Sequence, residues 1–169
     1  PGGRYGSIPQ SIKPDCDGPC TIGWYCPAGS IIPTEHICGP SNVYCPASSS
    51  APLPVFLGYY STGSNEDLVN IDVDNETYLG LTRSHQKICE AGYYCAADGI
   101  KRVCPSGFYG AAEGLSDPQC SGACDQGYYC PQQSTSPKQV QCGGNAFFCP
   151  IGSKDPQPVA VGYYTVGGG

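Results

Sequence analysis

Cys16-Asp17-Gly18-Pro19-Cys20-Thr21-Ile22-Gly23-Trp24-Tyr25-Cys26-Pro27 and Cys120-Ser121-Gly122-Ala123-Cys124-Asp125-Gln126-Gly127-Tyr128-Tyr129-Cys130-Pro131 are the stretches whose reading decides the fold. Both space three cysteines as C-x3-C-x5-C and place Gly and two aromatics before the third. Outward of them, Cys38 and Cys45 extend the first set to C-x3-C-x5-C-x11-C-x6-C, and Cys142 and Cys149 extend the second with the same spacing, 104 residues on. Over the 65 positions that align without a gap, 1–65 on 105–169, 26 are identical, and 23 of those are Cys, Gly, Pro or Tyr. Such residues set backbone shape, cross-links and rigid packing area, while the other positions drift. This is the pattern of a tandem repeat in which each unit contacts mainly its neighbours.

The register organises the rest of the chain. A cysteine-rich module spans 1–45, a Pro/Ser-rich spacer ending in Gly-Tyr-Tyr spans 46–63, and an acidic connector spans 64–88. A short module, 89–103, reuses C-x5-C at Cys89 and Cys95; the second copy of the first module covers 104–149, and a second Pro-rich spacer covers 150–169. One full period, Cys16 to Cys104, holds eight cysteines, an even number, so the odd total of 13 follows from where the window falls. Pro1 aligns with Pro105. The register therefore expects a cysteine, the counterpart of Cys104, just before Pro1, and a natural chain that continues in both directions.

Composition explains why the chain needs staples. Leu, Ile, Val and Phe number 29 of 169 residues and Met is absent, against 24 Gly, 17 Pro and 13 Tyr. Ordering a chain costs roughly 1.5 kcal/mol per residue, which so few aliphatics cannot offset by burial alone. Two cysteines separated by two residues, the usual zinc spacing, occur nowhere, so disulfides in an oxidising extracellular compartment are expected. Net charge is -6, which disfavours nucleic acid, and no apolar run is long enough to span a bilayer.

Gly, two aromatics and Cys read as a short strand entered through a turn, and helical periodicity is nearly absent. The alternation Val69, Ile71, Val73 suggests one further strand. The segments 46–54 and 150–158 read as extended polyproline II spacers. The expected fold is small and disulfide-rich, mostly irregular with short β-hairpins.

Candidate chemistry is sparse. His36 and His85 are the only bases near neutrality, His36 aligns with Val140, and an even cysteine count per period leaves no free nucleophilic thiol; no catalytic residue and no cofactor is expected. Asp67, Asp72, Asp74 and Glu76 form an oxygen-rich cluster that suits extracellular calcium, with a solvated acidic face as the commoner outcome. Asn75-Glu76-Thr77 is an N-glycosylation sequon, and Ser48, Ser49, Ser50, Ser134, Thr135 and Ser136 neighbour prolines as candidates for O-linked sugars. Repeated aromatic pairs suit module packing and, at Trp24 above all, a binding surface.

Cys-Pro-Ser-Gly-Phe-Tyr-Gly (104–110), Gly-Tyr-Tyr-Cys-Pro (127–131), Ser-Thr-Ser-Pro (134–137) and Gly-Tyr-Tyr-Thr-Val-Gly (162–167) resemble the ephrin-receptor-like cysteine-rich repeats of large extracellular proteins, including repetitive surface proteins of algae and other protists. The spacing of the complete second module also resembles the cysteine-rich repeats of tumour-necrosis-factor receptors. That second resemblance implies Cys104–Cys120, Cys124–Cys142 and Cys130–Cys149, and by register Cys20–Cys38 and Cys26–Cys45, with Cys89–Cys95 left to pair and Cys16 bonded to a cysteine outside the segment. Six cysteines allow 15 connectivities, so spacing alone leaves the pairing open. Together the resemblances imply an elongated array of EGF-like, tumour-necrosis-factor-receptor-like modules with a 104-residue period. Its expected role is non-catalytic, in a glycosylated fibre, filament or cell-surface coat such as a flagellar hair (mastigoneme), with copies of itself, sibling repeat proteins and glycans as partners. The alternative is a ligand-binding or adhesion ectodomain of a receptor. A module of this kind specifies scaffold rather than purpose.

Overall fold

A computed structural model of the chain describes residues 1–7, 15–63 and 82–167. It divides into two compact units, Pro1–Ile88 with Ala96–Ile100, and Cys89–Cys95 with Lys101–Gly169. The fold is small, disulfide-rich and built of short antiparallel β-hairpins; among the described residues there is no helix, and so none long and apolar enough to cross a membrane.

In the first unit β1 (Arg4–Tyr5) pairs with β2 (Gly18–Pro19), β3 (Trp24–Tyr25) with β4 (His36–Ile37), and β5 (Val43–Tyr44) with β6 (Leu53–Pro54). A longer ribbon, β7 (Tyr59–Gly63) with β8 (Arg83–Ile88), closes it. In the second unit β9 (Tyr93–Tyr94) pairs with β10 (Arg102–Val103), and β11 (Phe108–Tyr109) with β12 (Gly122–Ala123). β13 (Tyr128–Tyr129) then pairs with β14 (Val140–Gln141), and β15 (Phe147–Phe148) with β16 (Gln157–Pro158). Most of these strands are two residues long, too short to stand alone in water. Backbone bonds between successive hairpins and the cystines hold them.

Proline enters these strands without breaking them. It has no N–H to give a ladder, and the donor is always the next residue. Opposite Arg4, Pro19 is followed by Cys20, whose N–H donates to Gly3 O; opposite Val43, Pro54 is followed by Val55, donating to Asn42 O; opposite Phe147, Pro158 is followed by Val159, donating to Ala146 O. The stretches 46–54 and 150–158 are thus corrected from polyproline II spacers to hairpin arms. Each first closes a turn in which a serine hydroxyl, Ser49 or Ser153, donates 2.7 Å back to the carbonyl of Pro46 or Pro150. That bond turns the chain and lets β6 and β16 run back along β5 and β15.

The interior is sulfur. Every cysteine except Cys16 and Cys120 is buried, and Val55 and Tyr60 are the only other apolar side chains buried among the described residues. The strand expected from Val69, Ile71 and Val73 lies outside the described residues.

Candidate functional site

The recurring local device is a glycine that holds two half-cystines side by side. Gly3 N–H donates to Cys26 O at 2.7 Å, and Cys20 N–H donates to Gly3 O at 2.9 Å, so both backbone groups of one residue fix both ends of a disulfide. Gly23 does the same for Cys45 and Cys38, Gly107 for Cys130 and Cys124, and Gly127 for Cys149 and Cys142. The bonds that result are Cys20–Cys26, Cys38–Cys45, Cys124–Cys130 and Cys142–Cys149, with Cα separations of 5.8, 5.7, 5.9 and 5.7 Å, normal for a cystine. Each joins the end of one hairpin's second strand to the end of the next hairpin's first. Cys89–Cys95 and Cys104–Cys120 complete the set.

This corrects four pairings implied by the receptor-like spacing: Cys20–Cys38, Cys26–Cys45, Cys124–Cys142 and Cys130–Cys149 do not form. The physical reason is the clamp. With Cys20 and Cys26 bound to the two sides of Gly3, the nearest sulfur to each is the other, whereas Cys38 is held against Gly23 in the next hairpin. The signal in the sequence was the glycine lying 23 residues before Cys26 and before Cys130, and 22 before Cys45 and before Cys149, which cysteine spacing alone does not weigh.

Cys16 is the one free cysteine and is half-buried. Its backbone is left-handed, φ 53°, as is that of bonded Cys120, φ 52°. Asp17 N–H donates to Tyr5 O and Ser121 N–H to Tyr109 O, so the two cysteines leave their hairpins in one geometry.

Of the proposed sugar acceptors, Ser49 and Ser134 are corrected. Both are buried, and their hydroxyls donate to Pro46 O and Pro131 O, as Ser30 and Ser153 donate to Pro27 O and Pro150 O. A shared Cys-Pro-x-x-Ser motif (26–30, 45–49, 130–134, 149–153) carries this turn. Ser48, Ser50 and Thr135 are exposed, and Ser136 is half-buried with its Oγ accepting from Lys138 N–H at 3.2 Å. Asn75 and the acidic set Asp67, Asp72, Asp74 and Glu76 lie outside the described residues.

The two histidines are far apart in role. His36 stacks on Tyr25 with ring centroids 5.1 Å apart and lies 3.6 Å from Glu35, whose carboxyl the Ile31 amide hydrogen bond (2.8 Å) holds below its ordinary range. His85 Nδ1 lies 2.9 Å from Ser84 Oγ. Ser84 is wholly buried and its hydroxyl donates to Thr62 O at 3.3 Å.

Arg83, beside it, belongs to Thr82-Arg83-Ser84, which in sequence resembles the connection ahead of a C-x5-C pair in the ephrin-receptor-like arrays and carries no assigned role there. Its side chain is 1% exposed, its Nη1 donates 2.8 Å to Ser61 O, and its Nε and Thr62 Oγ1 are buried with no hydrogen-bond partner among the described residues. Burial pushes the guanidinium pKa down, because a charged group loses solvation there. No ion pair joins it among the described residues, so Arg83 fastens β8 to β7 by a hydrogen bond to the β7 backbone. Trp24 is half-buried in β3.

Six disulfides belong to an oxidising environment, where reductants do not dissolve a sulfur core. Compared with models of known protein families, with curated proteins and with solved structures, the chain matches none.

Proposed function

We propose that this chain is a stretch of an extracellular structural repeat protein, a tandem array of cystine-clamped hairpins with a 104-residue period. It serves without catalysis in a glycosylated fibre, filament or cell-surface coat of the mastigoneme kind. The observation that carries the reading is the recurrence of whole hairpin registers. Arg4↔Pro19, Trp24↔Ile37 and Val43↔Pro54, each shifted by 104, become Phe108↔Ala123, Tyr128↔Gln141 and Phe147↔Pro158. The clamping glycines and the Cys-Pro-x-x-Ser turns shift with them. A scaffold copied while its surface drifts suits a load-bearing or spacing role better than a single shaped ligand site.

In the same reading Cys16 bonds a cysteine just upstream of Pro1, as Cys120 bonds Cys104, and Asn75 carries an N-linked glycan. The partners are other copies of this protein or sibling repeat proteins, together with glycans. Antibodies against the oxidised 169-residue chain should label an external fibre or coat of the source cells in immunogold electron microscopy. They should also recover a species whose mass falls on N-deglycosylation. Labelling confined to the cell interior would refute the proposal.

A further inference from the structure

Disulfides decide how much of this chain tension can draw out. Each of the six bridges short-circuits the residues it spans, so a pulled oxidised chain lengthens only in the stretches between bridged cysteines. Between Cys20 and Cys149 those stretches are 27–37, 46–88, 96–103, 121–123 and 131–141, and 46–88, with 43 residues, is about four times the next longest. They also differ in what closes them. Across 27–37 the Gly23 clamp ties the Cys20–Cys26 loop to both Cys38 and Cys45, and across 131–141 the Gly127 clamp ties the Cys124–Cys130 loop to both Cys142 and Cys149. Tension there meets the two bonds of a clamp at once. Among the described residues no glycine clamps Cys89 and Cys95 in this way. The stretch 46–88 is held instead by β6 on β5, β8 on β7, the Cys45 N–H bond to Arg83 O and the Arg83 bond to Ser61 O, with Val55 and Tyr60 buried along it. The outermost pair of the β7–β8 ribbon is Tyr59↔Ile88 and the innermost is Gly63↔Arg83. Cys89 follows Ile88, so a pull on Cys89 strains the Ile88 end first and the pairs part in succession. Bonds strained one at a time yield at lower force than bonds strained together.

We propose that residues 46–88 are an extensible link. Under tension along the chain the link opens in one event, giving about 150 Å at roughly 3.5 Å per residue, while the glycine-clamped hairpins stay closed. It closes again when the tension falls, because the cystines on either side keep their own hairpins folded. The inference rests on the structural-repeat reading, which supplies the tension, and adds to it the one place in a period where the array stretches.

The test pulls the full oxidised chain, flanked by marker domains of known unfolding length, in an atomic force microscope. The event at lowest force should add about 150 Å of contour length, less the short distance already spanned in the fold, and should recur after relaxation. Opening of 27–37 or 131–141, about 40 Å each, should come only at higher force. A Gly/Ser insert of about 20 residues between Asn70 and Ile71 should lengthen the first event by about 70 Å and leave the others unchanged. Events of about 40 Å that precede the long one, a long extension with no force peak, or a first event that the insert does not lengthen would each overturn the link. Any of these results would leave the fibre reading to its own immunogold test, and interior labelling would leave the measured lengths readable.

Discussion

At the residue scale the fold turns on glycines that serve as backbone clamps, and their replacement separates two costs. A Cβ at Gly3 would run into the Ser48 carbonyl, and φ there is +83°; at Gly127 φ is +84° but nothing lies within 4 Å of the added carbon. Gly127→Ala should therefore cost about 1–2 kcal/mol, the strain of a left-handed L-residue. Gly3→Ala adds displacement of the turn at 46–49 and should cost at least about 2 kcal/mol more, within the range for overpacking. Urea unfolding of the oxidised proteins measures both, and equal losses would deny the close approach. Glu35 yields a second prediction. Its folded pKa is lowered from 4.5, chiefly by the Ile31 amide, so its contribution is fully present above about pH 4.5 and is lost as pH falls through the lower folded value. In an NMR titration the Ile31 amide should follow that acid step, and Glu35→Gln should abolish it while keeping the hydrogen bond, as Gln139 does with Thr135 N–H at 3.1 Å.

At the element scale the hairpins are joined by bridges between neighbours, and proteolysis reads this directly. Lys138 lies between Cys130 and Cys142, and Lys154 and Arg102 flank the pair of hairpins. Trypsin without reductant should release 103–138, holding Cys104–Cys120 and Cys124–Cys130, separately from 139–154, holding Cys142–Cys149. Interleaved pairing would keep the two peptides linked in one mass. The short loops also set the energetics. Loops of 6 or 7 residues' separation stabilise by about 2.4 kcal/mol each in the chain-entropy model, and the 16-residue separation of Cys104–Cys120 by about 3.

At the scale of the whole molecule the longest disulfide span is 16 residues, so cross-linking acts locally everywhere. Short cross-links of this kind let hairpins lose structure piecewise. Within the second unit, replacing Cys142 and Cys149 by serine should remove amide protection from β13–β16 and leave β9–β12 protected, as hydrogen exchange would show. Loss of protection across the whole unit would mean a single cooperative core. Complete reduction should unfold every hairpin, since among the described residues Val55 is the one aliphatic side chain buried beside the sulfur.

The sequence by itself determined the class of fold, because 13 cysteines among few aliphatics permit little besides a stapled scaffold, and Gly followed by two aromatics marks where most first strands begin. It also determined the alignment of residues 1–65 with 105–169, since backbone-shaping residues leave a legible pattern. It did not determine which sulfurs meet, because a bond across C-x5-C, as in Cys20–Cys26, and one across 17 residues, as in Cys20–Cys38, are both within a cystine's reach once a chain bends. Only the tertiary structure decided that, through Gly3, Gly23, Gly107 and Gly127, whose two backbone groups are each bonded to half-cystines distant in sequence. The same holds for Ser49 and Ser134, which look like exposed linker serines until the turn buries them, and for Arg83. In sequence Arg83 is part of a connecting segment; pairing β8 against β7 removes it from water and gives it the Ser61 carbonyl.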